Sequence, residues 1–315
     1  MTSLFRRPRT ALPAVALLAA ALAVGCGHGT SGGTGAPAAA VPTTATTSAG
    51  QSSAGPSDGA FKGLEQHFGA RLGVYAVDTG SGREVAYRSD ERFAFASTIK
   101  SLLTGALLRT ASDQELDKVV TYRQDEVLPW APITSRHVDS GMKVRDLAAA
   151  ALEYSDNTAA NLLMTELGGP EALQRTLREL GDPTTNVNRD EPTLNEATPG
   201  DPRDTSTPRA FATDLRRYVL GDVLTEDRRR MLTDWMVGNT TGAPFIRAGV
   251  PADWKIGDKT GNGGYGTRND VAVAWPSGGR SPVVLVVMSD RGKADATSDD
   301  ALIAEATKAV VTALG

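Results

Sequence analysis

Residues 269–289 read NDVAVAWPSGGRSPVVLVVMS, which places two valine-rich runs on either side of a Pro-Ser-Gly-Gly segment. β-Branched residues favour strands, and a short turn between two such runs is typical of neighbouring strands. The sequence therefore predicts two adjacent antiparallel strands, at 269–275 and 282–289. A third strand-like run, at 254–260, precedes them.

A similar pattern occurs near the other end of the chain. Residues 70–77 and 83–88 are strand-like and flank an Asp-Thr-Gly-Ser-Gly turn at 78–82, which is a hairpin signal. Between the two ends, apolar residues recur at helical spacing, and Pro, Thr, Asp or Gly residues mark helix boundaries. The predicted helices are about 59–67, 98–108, 144–154, 158–167, 170–180, two that open at Thr207 and Thr225, and one capped at 298–300 that reaches Leu314.

This distribution predicts an α+β (or α/β) fold with one antiparallel sheet that is built from both termini and flanked by terminal helices. An all-α lobe is inserted between the two halves of the sheet. We expect an α/β lobe of about 58–90 and 240–315 and an α lobe of about 91–239. A cleft between the lobes is the natural ligand site.

The first 57 residues are not expected to belong to this domain. Residues 1–25 resemble a signal peptide, with three arginines followed by an apolar run at 11–24 that is too short for a comfortable membrane span,. Ala-Val-Gly-Cys at 23–26 resembles the lipobox of bacterial lipoproteins, so Cys26 is a candidate for lipidation; cleavage without lipidation is the alternative. Residues 26–57 are rich in Gly, Ser, Thr, Ala and Pro, which predicts a disordered tether. We therefore expect an exported protein, either extracellular or anchored on the outer face of the cytoplasmic membrane.

Composition excludes several classes of function. The formal net charge is −4, which argues against a nucleic-acid partner because such binding needs a basic surface. Cys26 is the only cysteine, so an intramolecular disulfide cannot form. The histidines, His28, His67 and His137, lack metal-ligand spacing, so neither a metal nor another cofactor is expected. A Ser-His-Asp triad with His67 or His137 stays open but has no supporting motif, and a monomer is the default assembly.

Two Ser-x-x-Lys motifs could supply a nucleophile. Ser97-Thr98-Ile99-Lys100 lies where a helix is predicted, so the hydroxyl and the ammonium would share one face and the lysine could act on the serine proton,. Ser140-Gly141-Met142-Lys143 lies ahead of a helical run in a glycine-containing segment, where the same spacing gives no shared face. Ser97 is therefore the preferred nucleophile, although neither motif is specific by itself.

Two further triplets complete a recognisable set. Ser155-Asp156-Asn157 lies between two predicted helices, and Lys259-Thr260-Gly261 ends a predicted strand. With the Ser-x-x-Lys motif at Ser97, this order resembles class A serine β-lactamases and penicillin-binding proteins. The resemblance covers about residue 58 to the C-terminus and implies the β-lactamase/transpeptidase-like fold.

A fourth segment distinguishes class A β-lactamases from penicillin-binding proteins. Arg189-Asp-Glu-Pro-Thr-Leu-Asn195 resembles the start of the class A Ω-loop, and Asp201-Pro-Arg-Asp204 resembles its end. The resemblance implies that Glu191 and Asn195 hold the deacylating water, that Arg189 pairs with Asp204, and that the Glu191–Pro192 peptide is cis.

The resemblance also assigns roles within the site. Ser97 is the nucleophile, Lys100 or Glu191 removes its proton, and Ser155 passes a proton to the departing ring nitrogen. The oxyanion donors are the backbone N–H groups of Ser97 and Asn262. The implied substrate-binding residues are Trp130, Asn157, Asn195, Arg247, Lys259, Thr260, Gly261, Asn262 and Arg268.

Arg247 and Arg268 are alternative partners for the substrate carboxylate, which the family binds with the lysine and one arginine. Two guanidinium groups on one small pocket would repel each other in the free enzyme. We therefore expect either that only one points inward, with Arg247 as the preferred candidate, or that both serve and each partly compensates for the loss of the other.

The implied function is hydrolysis of the β-lactam ring of penicillins and related antibiotics, which confers resistance. One alternative is a D-Ala-D-Ala carboxypeptidase (a penicillin-binding protein), but such enzymes lack the Ω-loop glutamate that Glu191 supplies. The other is a catalytically silent ligand-binding lipoprotein, which would have no physical need for the complete set of catalytic residues.

Overall fold

A computed structural model of the protein describes residues 57–315. The predicted signal peptide, Cys26 and nearly all of the predicted tether lie outside the described residues. No helix within residues 57–315 is both long and apolar enough to cross a membrane.

A five-stranded antiparallel sheet organises the molecule, in the order β2-β1-β9-β8-β7. The N-terminal β1 pairs with the C-terminal β9 along its whole length, from Arg71 opposite Asp290 to Asp78 opposite Val283. The predicted sheet built from both termini is therefore confirmed, and the predicted strands end within two residues of the observed ones. These strands are β1 (Arg71–Asp78), β2 (Glu84–Tyr87), β7 (Lys255–Asn262), β8 (Arg268–Trp275) and β9 (Val283–Asp290).

Helices fill most of the segment between β2 and β7, as predicted. Each predicted helix is present, and the capping residues act as expected: the side chains of Thr207, Thr225 and Asp299 each accept a hydrogen bond from the first turn that follows,. The helices are α1 (Asp58–Phe68), α2 (Ile99–Thr110), α3 (Asp113–Asp117), α4 (Val144–Glu153), α5 (Asn157–Leu167), α6 (Pro170–Glu179), α7 (Pro208–Val219), α8 (Glu226–Val237), α9 (Ile246–Gly249) and α10 (Asp300–Leu314).

Two small ribbons interrupt this helical region, so it is not purely helical. One pairs β3 (Phe93–Ala94) with β6 (Thr205–Ser206), and the other pairs β4 (Val119–Val120) with β5 (Met142–Lys143). The first ribbon matters for function because it joins the chain just before Ser97 to the end of the Ω-loop. The backbone N–H of Phe95 extends this link by donating to Asp204 O at 3.1 Å.

The sheet is buried on both faces, because the apolar side chains of its central strands point alternately to each side. On β9, Val283, Leu285 and Val287 pack with Phe61 of α1 and with α10. The intervening residues Val284, Val286 and Met288 join the core of the helical region on the opposite face. The sheet thus holds terminal helices on one side and the inserted helices on the other, and β7 forms the edge that borders the cleft.

Candidate active site

A cleft of about 510 Å³ opens beside the edge strand β7. It contains many of the residues predicted from the sequence, whereas Lys100, Glu191 and Lys259 are buried next to it, with at most 3% of their surface exposed. The lining residues are Ser97, Trp130, Ser155, Asn157, Asn195, Thr241, Pro244, Phe245, Thr260, Asn262, Arg268 and Asp300.

Ser97 lies in a short 3₁₀ turn, Ala96–Thr98, that leads into α2. The turn is held from β8, since the Asn269 side-chain amide donates to Ala94 O at 2.8 Å and Phe95 O at 3.1 Å. Ala96 has a φ of 48°, a left-handed conformation that costs free energy in a non-glycine residue and that the surrounding contacts must maintain,. Gly261 of β7 faces the same turn: a Cβ there would lie 2.9 Å from Phe95 O. The glycine of the Lys-Thr-Gly motif thus lets the edge strand approach the nucleophile.

Ser97, Lys100 and Glu191 form a buried hydrogen-bonded cluster. The Ser97 hydroxyl donates to Glu191 Oε1 at 2.9 Å, and Lys100 Nζ lies 3.0 Å from the same oxygen. Burial lowers the pKa of Lys100, and the neighbouring Glu191 carboxylate partly opposes this effect,. The serine proton therefore faces a carboxylate that is already positioned to accept it.

Asn157 and Ser155 bring the second motif to the same cluster. Lys100 Nζ also donates to Asn157 Oδ1 at 2.6 Å and to the backbone oxygen of Ser155 at 2.8 Å. Because the lysine engages the Asn157 oxygen, the amide nitrogen of Asn157 is the end left for a ligand. Ser155 has a φ of 57°, the second left-handed residue in the site.

Lys259 approaches Ser155 from β7. Its Nζ donates to Ser155 Oγ at 2.9 Å and to Thr260 O at 2.9 Å. Burial, together with the charge of Lys100, lowers the pKa of Lys259 to about 7,. The two lysines therefore border Ser155 from the helix α2 and the strand β7, and burial brings the pKa of Lys259 near neutral pH.

The Ω-loop carries Glu191 to the cluster. Its two ends meet at a neck, which an ion pair closes as the resemblance implied. Arg189 Nε lies 2.5 Å from Asp204 Oδ2, and Asp204 is buried. The Arg189 guanidinium also pairs with Glu196. The Asn195 amide donates to Glu191 Oε2, and the Glu191–Pro192 peptide is cis.

Three residues of the site were given no role in the sequence analysis. Asn161, one turn after Asn157 on α5, holds the Glu191 backbone on both sides: it accepts from Glu191 N at 2.9 Å and donates to Glu191 O at 2.8 Å. Asp156 caps α5 and accepts from Thr134 N at 2.9 Å. Thr241 shares a hydrogen bond of 2.6 Å with the Thr260 hydroxyl on the cleft wall. The i, i+4 spacing could have indicated Asn161, whereas Thr241 lies in a loop with no local signal.

The two candidate arginines have different surroundings. Arg268 lines the cleft, where it pairs with Asp300 at 2.5 Å and lies over the Phe245 ring. Arg247 is not a lining residue, because its guanidinium is held 2.6 Å from the fully buried Asp258 and donates to Val237 O. The structure therefore corrects our preference for Arg247 as the arginine that reaches the cleft.

The remaining candidate motifs lie away from the cleft. Ser140 is in a turn and Lys143 Nζ donates to the exposed Asp117 at 3.1 Å, so this Ser-x-x-Lys pair does not form a catalytic cluster. His67 lies at the end of α1, and His137 follows a 3₁₀ turn. Within residues 57–315, no group of three or more His, Cys, Asp or Glu side chains is placed to hold a metal ion.

Comparison with known proteins agrees with this geometry. Residues 58–314 match the model of the β-lactamase enzyme family. The chain is 56% identical to a β-lactamase of Amycolatopsis lactamdurans, over 81% of this chain and 84% of the relative. A halotolerant bacterial β-lactamase superposes with a TM-score of 0.80 at 52% identity, over 81% of this chain and 98% of the other. The class A β-lactamase of Clostridium kluyveri gives a TM-score of 0.80 at 47% identity, over 82% and 98% of the two chains. This chain therefore belongs to the β-lactamase enzyme family, in class A of the serine β-lactamases.

Proposed function

We propose that this β-lactamase opens the ring of its substrate through an acyl-enzyme on Ser97 and releases the product with a water activated by Glu191. The observation that carries the proposal is the buried contact among three groups: the Ser97 hydroxyl, the Glu191 carboxylate and the Lys100 ammonium. A serine hydroxyl is a weak nucleophile unless an adjacent base removes its proton. Here the acceptor is 2.9 Å away and fully buried.

Acylation begins with the transfer of the Ser97 proton as Oγ attacks the β-lactam carbonyl carbon. The hydrogen bond from Ser97 to Glu191 favours Glu191 as the acceptor, and Lys100 stabilises the negative charge of the cluster. The developing oxyanion would be bound by the backbone N–H groups of Ser97 and Asn262, both of which line the cleft,. The C–N bond of the ring then breaks, and Ser155 supplies the proton that the departing nitrogen needs. The proton held by Glu191 passes through Lys100, whose Nζ lies 3.0 Å from Glu191 Oε1 and 3.5 Å from Ser155 Oγ, to restore the Ser155 hydroxyl, so Glu191 is again a carboxylate before deacylation.

Lys259 also donates to the Ser155 hydroxyl, at 2.9 Å, and is a second group that can exchange a proton with it. A pKa of about 7 lets Lys259 lose and regain a proton near neutral pH,. The same lysine and Arg268 place positive charge at this end of the cleft, and the Thr260 hydroxyl adds a neutral hydrogen-bond donor, which together suit the carboxylate of the substrate,. The Asn157 amide nitrogen would donate to the carbonyl of the substrate side chain, and the exposed Trp130 borders the mouth.

Deacylation distinguishes a hydrolase from a protein that is trapped by its inhibitor. Glu191 and Asn195 face each other beside Ser97, which suits them to hold and activate a water near the ester carbon,. Asn161 fixes the backbone of Glu191, so the carboxylate does not depend on the loop alone for its position. This pair of loop residues argues against a D-Ala-D-Ala carboxypeptidase, and the complete buried cluster argues against a silent binding protein.

We further propose that the protein acts as a monomer outside the cytoplasmic membrane, held there by lipid on Cys26. The lipobox-like sequence at 23–26 and the polar tether that follows it support this location,.

Replacing Ser97 tests the nucleophile. We expect Ser97→Ala to lower kcat for nitrocefin by a factor on the order of 10⁴ or more, because no other hydroxyl is hydrogen-bonded to Glu191 within residues 57–315,. The matched control is Ser140→Ala, which removes the serine of the second motif and should leave turnover unchanged. Turnover that survives in Ser97→Ala but is lost in Ser140→Ala would reassign the nucleophile.

Replacing Glu191 tests the deacylating water. In Glu191→Ala, deacylation should slow by roughly 10²- to 10⁴-fold, the usual contribution of a general base. Intact-protein mass spectrometry should then detect a persistent penicilloyl adduct after a brief exposure to benzylpenicillin. A variant that turns over at the wild-type rate without an adduct would remove Glu191 from the mechanism.

Replacing Arg268 should affect substrate binding, whereas replacing Arg247 should affect stability. Arg268→Ala should raise KM roughly tenfold to a hundredfold, because a charged hydrogen bond to the substrate carboxylate is worth about 1.5–3 kcal/mol. Arg247→Ala should instead lower the free energy of unfolding by roughly 3 kcal/mol, since it leaves the buried Asp258 without its ionic partner,. Urea unfolding and steady-state kinetics on both variants separate these effects. A raised KM for Arg247→Ala, measured where that variant is still fully folded, would contradict the assignment.

Metabolic labelling tests the anchor. A palmitate analogue should label the wild-type protein in its native host and should not label Cys26→Ser,. A wild-type protein released from cells with an N-terminus beyond residue 26 would overturn the proposal.

A further inference from the structure

A second cavity, of about 390 Å³, lies where the chain enters and leaves the segment that contains the Ω-loop. It is bordered by residues 180–184, which follow α6, and by one face of α7 from Arg209 to Arg217. Two of the lining residues are buried carboxyl groups: Asp182 has 5% of its surface exposed and Asp214 has 1%. Neither belongs to the cluster around Ser97.

Asp182 accepts hydrogen bonds from the backbone that follows it. Its Oδ1 accepts from the backbone N–H of Thr184 at 2.6 Å and of Thr185 at 3.2 Å. Arg178 donates to the backbone oxygen of the same residue at 2.7 Å. These donors fix Asp182 at the point where the chain leaves α6 and turns toward Glu191.

Asp214, on α7, has the opposite surroundings. No donor among residues 57–315 reaches its buried Oδ2 within hydrogen-bonding distance, although buried ionised oxygens normally have one. Asp182 lies on the wall of the same cavity, and a hydrogen bond between these two carboxyl groups requires a proton on one of them,. Burial first, and then the charge of Asp182, raise the pKa of Asp214 to about 9, against the opposing effect of Arg217 and Arg178. The other charged or titratable groups around this pair are Asp90 and Arg209 on the cavity wall and Tyr218 on α7.

The pair lies at the neck of the segment that carries Glu191. Asp182 precedes the Ω-loop and Asp214 follows it, so a bond between them ties the two ends of the segment together. Two further contacts close the same neck: Thr185 Oγ1 is 2.7 Å from Ser206 Oγ, and Asn186 N donates to Thr205 O at 2.9 Å. The carboxyl pair is the member of this set that a change in pH can break.

We propose that protonated Asp214 is a positioning residue for deacylation, which donates to Asp182 and thereby holds the Ω-loop with Glu191 against Ser97. The inference rests on the role proposed above for Glu191. When Asp214 loses its proton, two adjacent buried carboxylates repel each other and the neck loosens. Glu191 then holds the hydrolytic water less accurately, and small displacements of a catalytic group cost rate steeply.

The test is the rate constant for deacylation of preformed penicilloyl-enzyme, followed by quenching and mass spectrometry from about pH 6 to about pH 10. In the wild type this rate should fall as the pH rises through about 9. In Asp214→Asn the fall should disappear over the same range, because an amide donates to Asp182 at every pH and cannot titrate. Asp90→Asn is the matched control: it changes an exposed aspartate on the same cavity and should keep the wild-type profile.

A donor-free variant separates positioning from packing. Asp214→Leu is close in volume but cannot donate, and we expect deacylation about tenfold slower at neutral pH while acylation keeps its wild-type rate. Asp214→Asn should restore deacylation. A variant that slows both steps equally would indicate general loss of structure and contradict the proposal.

The pH dependence of thermal stability tests whether folded Asp214 carries a proton. The raised pKa means that, between about pH 4 and about pH 9, folded Asp214 holds a proton that the unfolded chain lacks,. The stability of the wild type should therefore fall relative to Asp214→Asn as the pH rises through this window. Parallel Tm curves, or an unchanged alkaline fall in Asp214→Asn, would overturn the inference. The Glu191→Ala variant tells a failure of this inference from a failure of the proposed function. If the inference is overturned and Glu191→Ala deacylates at the wild-type rate, the role proposed for Glu191 is wrong. If the inference is overturned and Glu191→Ala deacylates slowly, only the role of Asp214 is wrong.

Discussion

The site depends on the burial of one ammonium group against one carboxylate. Lys100 and Glu191 are almost completely withdrawn from solvent and lie 3.0 Å apart. Taking either charge out of water costs several kcal/mol, so each requires the other, together with further hydrogen bonds that complete its coordination. Asn157, Ser155 and Ser97 supply those bonds. The same requirement explains why the Glu191 backbone is held on both sides by Asn161: a mispositioned loop would leave Lys100 buried without a counter-charge.

The fold meets this requirement by bringing four distant segments to one edge of the sheet. Strand β7 provides Lys259 and Gly261, α2 provides Lys100, α5 provides Asn157, and the Ω-loop provides Glu191. Strand β8 secures the arrangement, because Asn269 binds the backbone before Ser97 while its neighbour Arg268 reaches the cleft. The left-handed conformations of Ala96 and Ser155 are local costs that these contacts offset,.

Sequence patterns predicted those features that are encoded within short contiguous stretches. Valine-rich runs identified β8 and β9. Three motifs together identified Ser97, Ser155 and Lys259, because each motif keeps its residues within one turn or strand. Contacts between distant segments were beyond such patterns. The preference for Arg247 failed for this reason: its partner is Asp258, and an arginine bound to a buried carboxylate is indistinguishable, in sequence, from one that faces a ligand. Asn161, Thr241 and Asp214 likewise acquire their significance only from residues on other elements.

The pairing of β1 with β9 has a consequence for biogenesis. Arg71 and Asp290, which are hydrogen-bonded partners at one end of this pair, are separated by 219 residues. The middle of the sheet therefore cannot assemble until nearly the whole polypeptide has left the ribosome, and closure of so large a loop is intrinsically slow. During synthesis the N-terminal strand has no native neighbour on that side, so this part of the sheet stays incomplete until β9 is made. Such late closure is compatible with the export proposed above, because a chain with an incomplete sheet can still pass through a channel that accepts unfolded polypeptides.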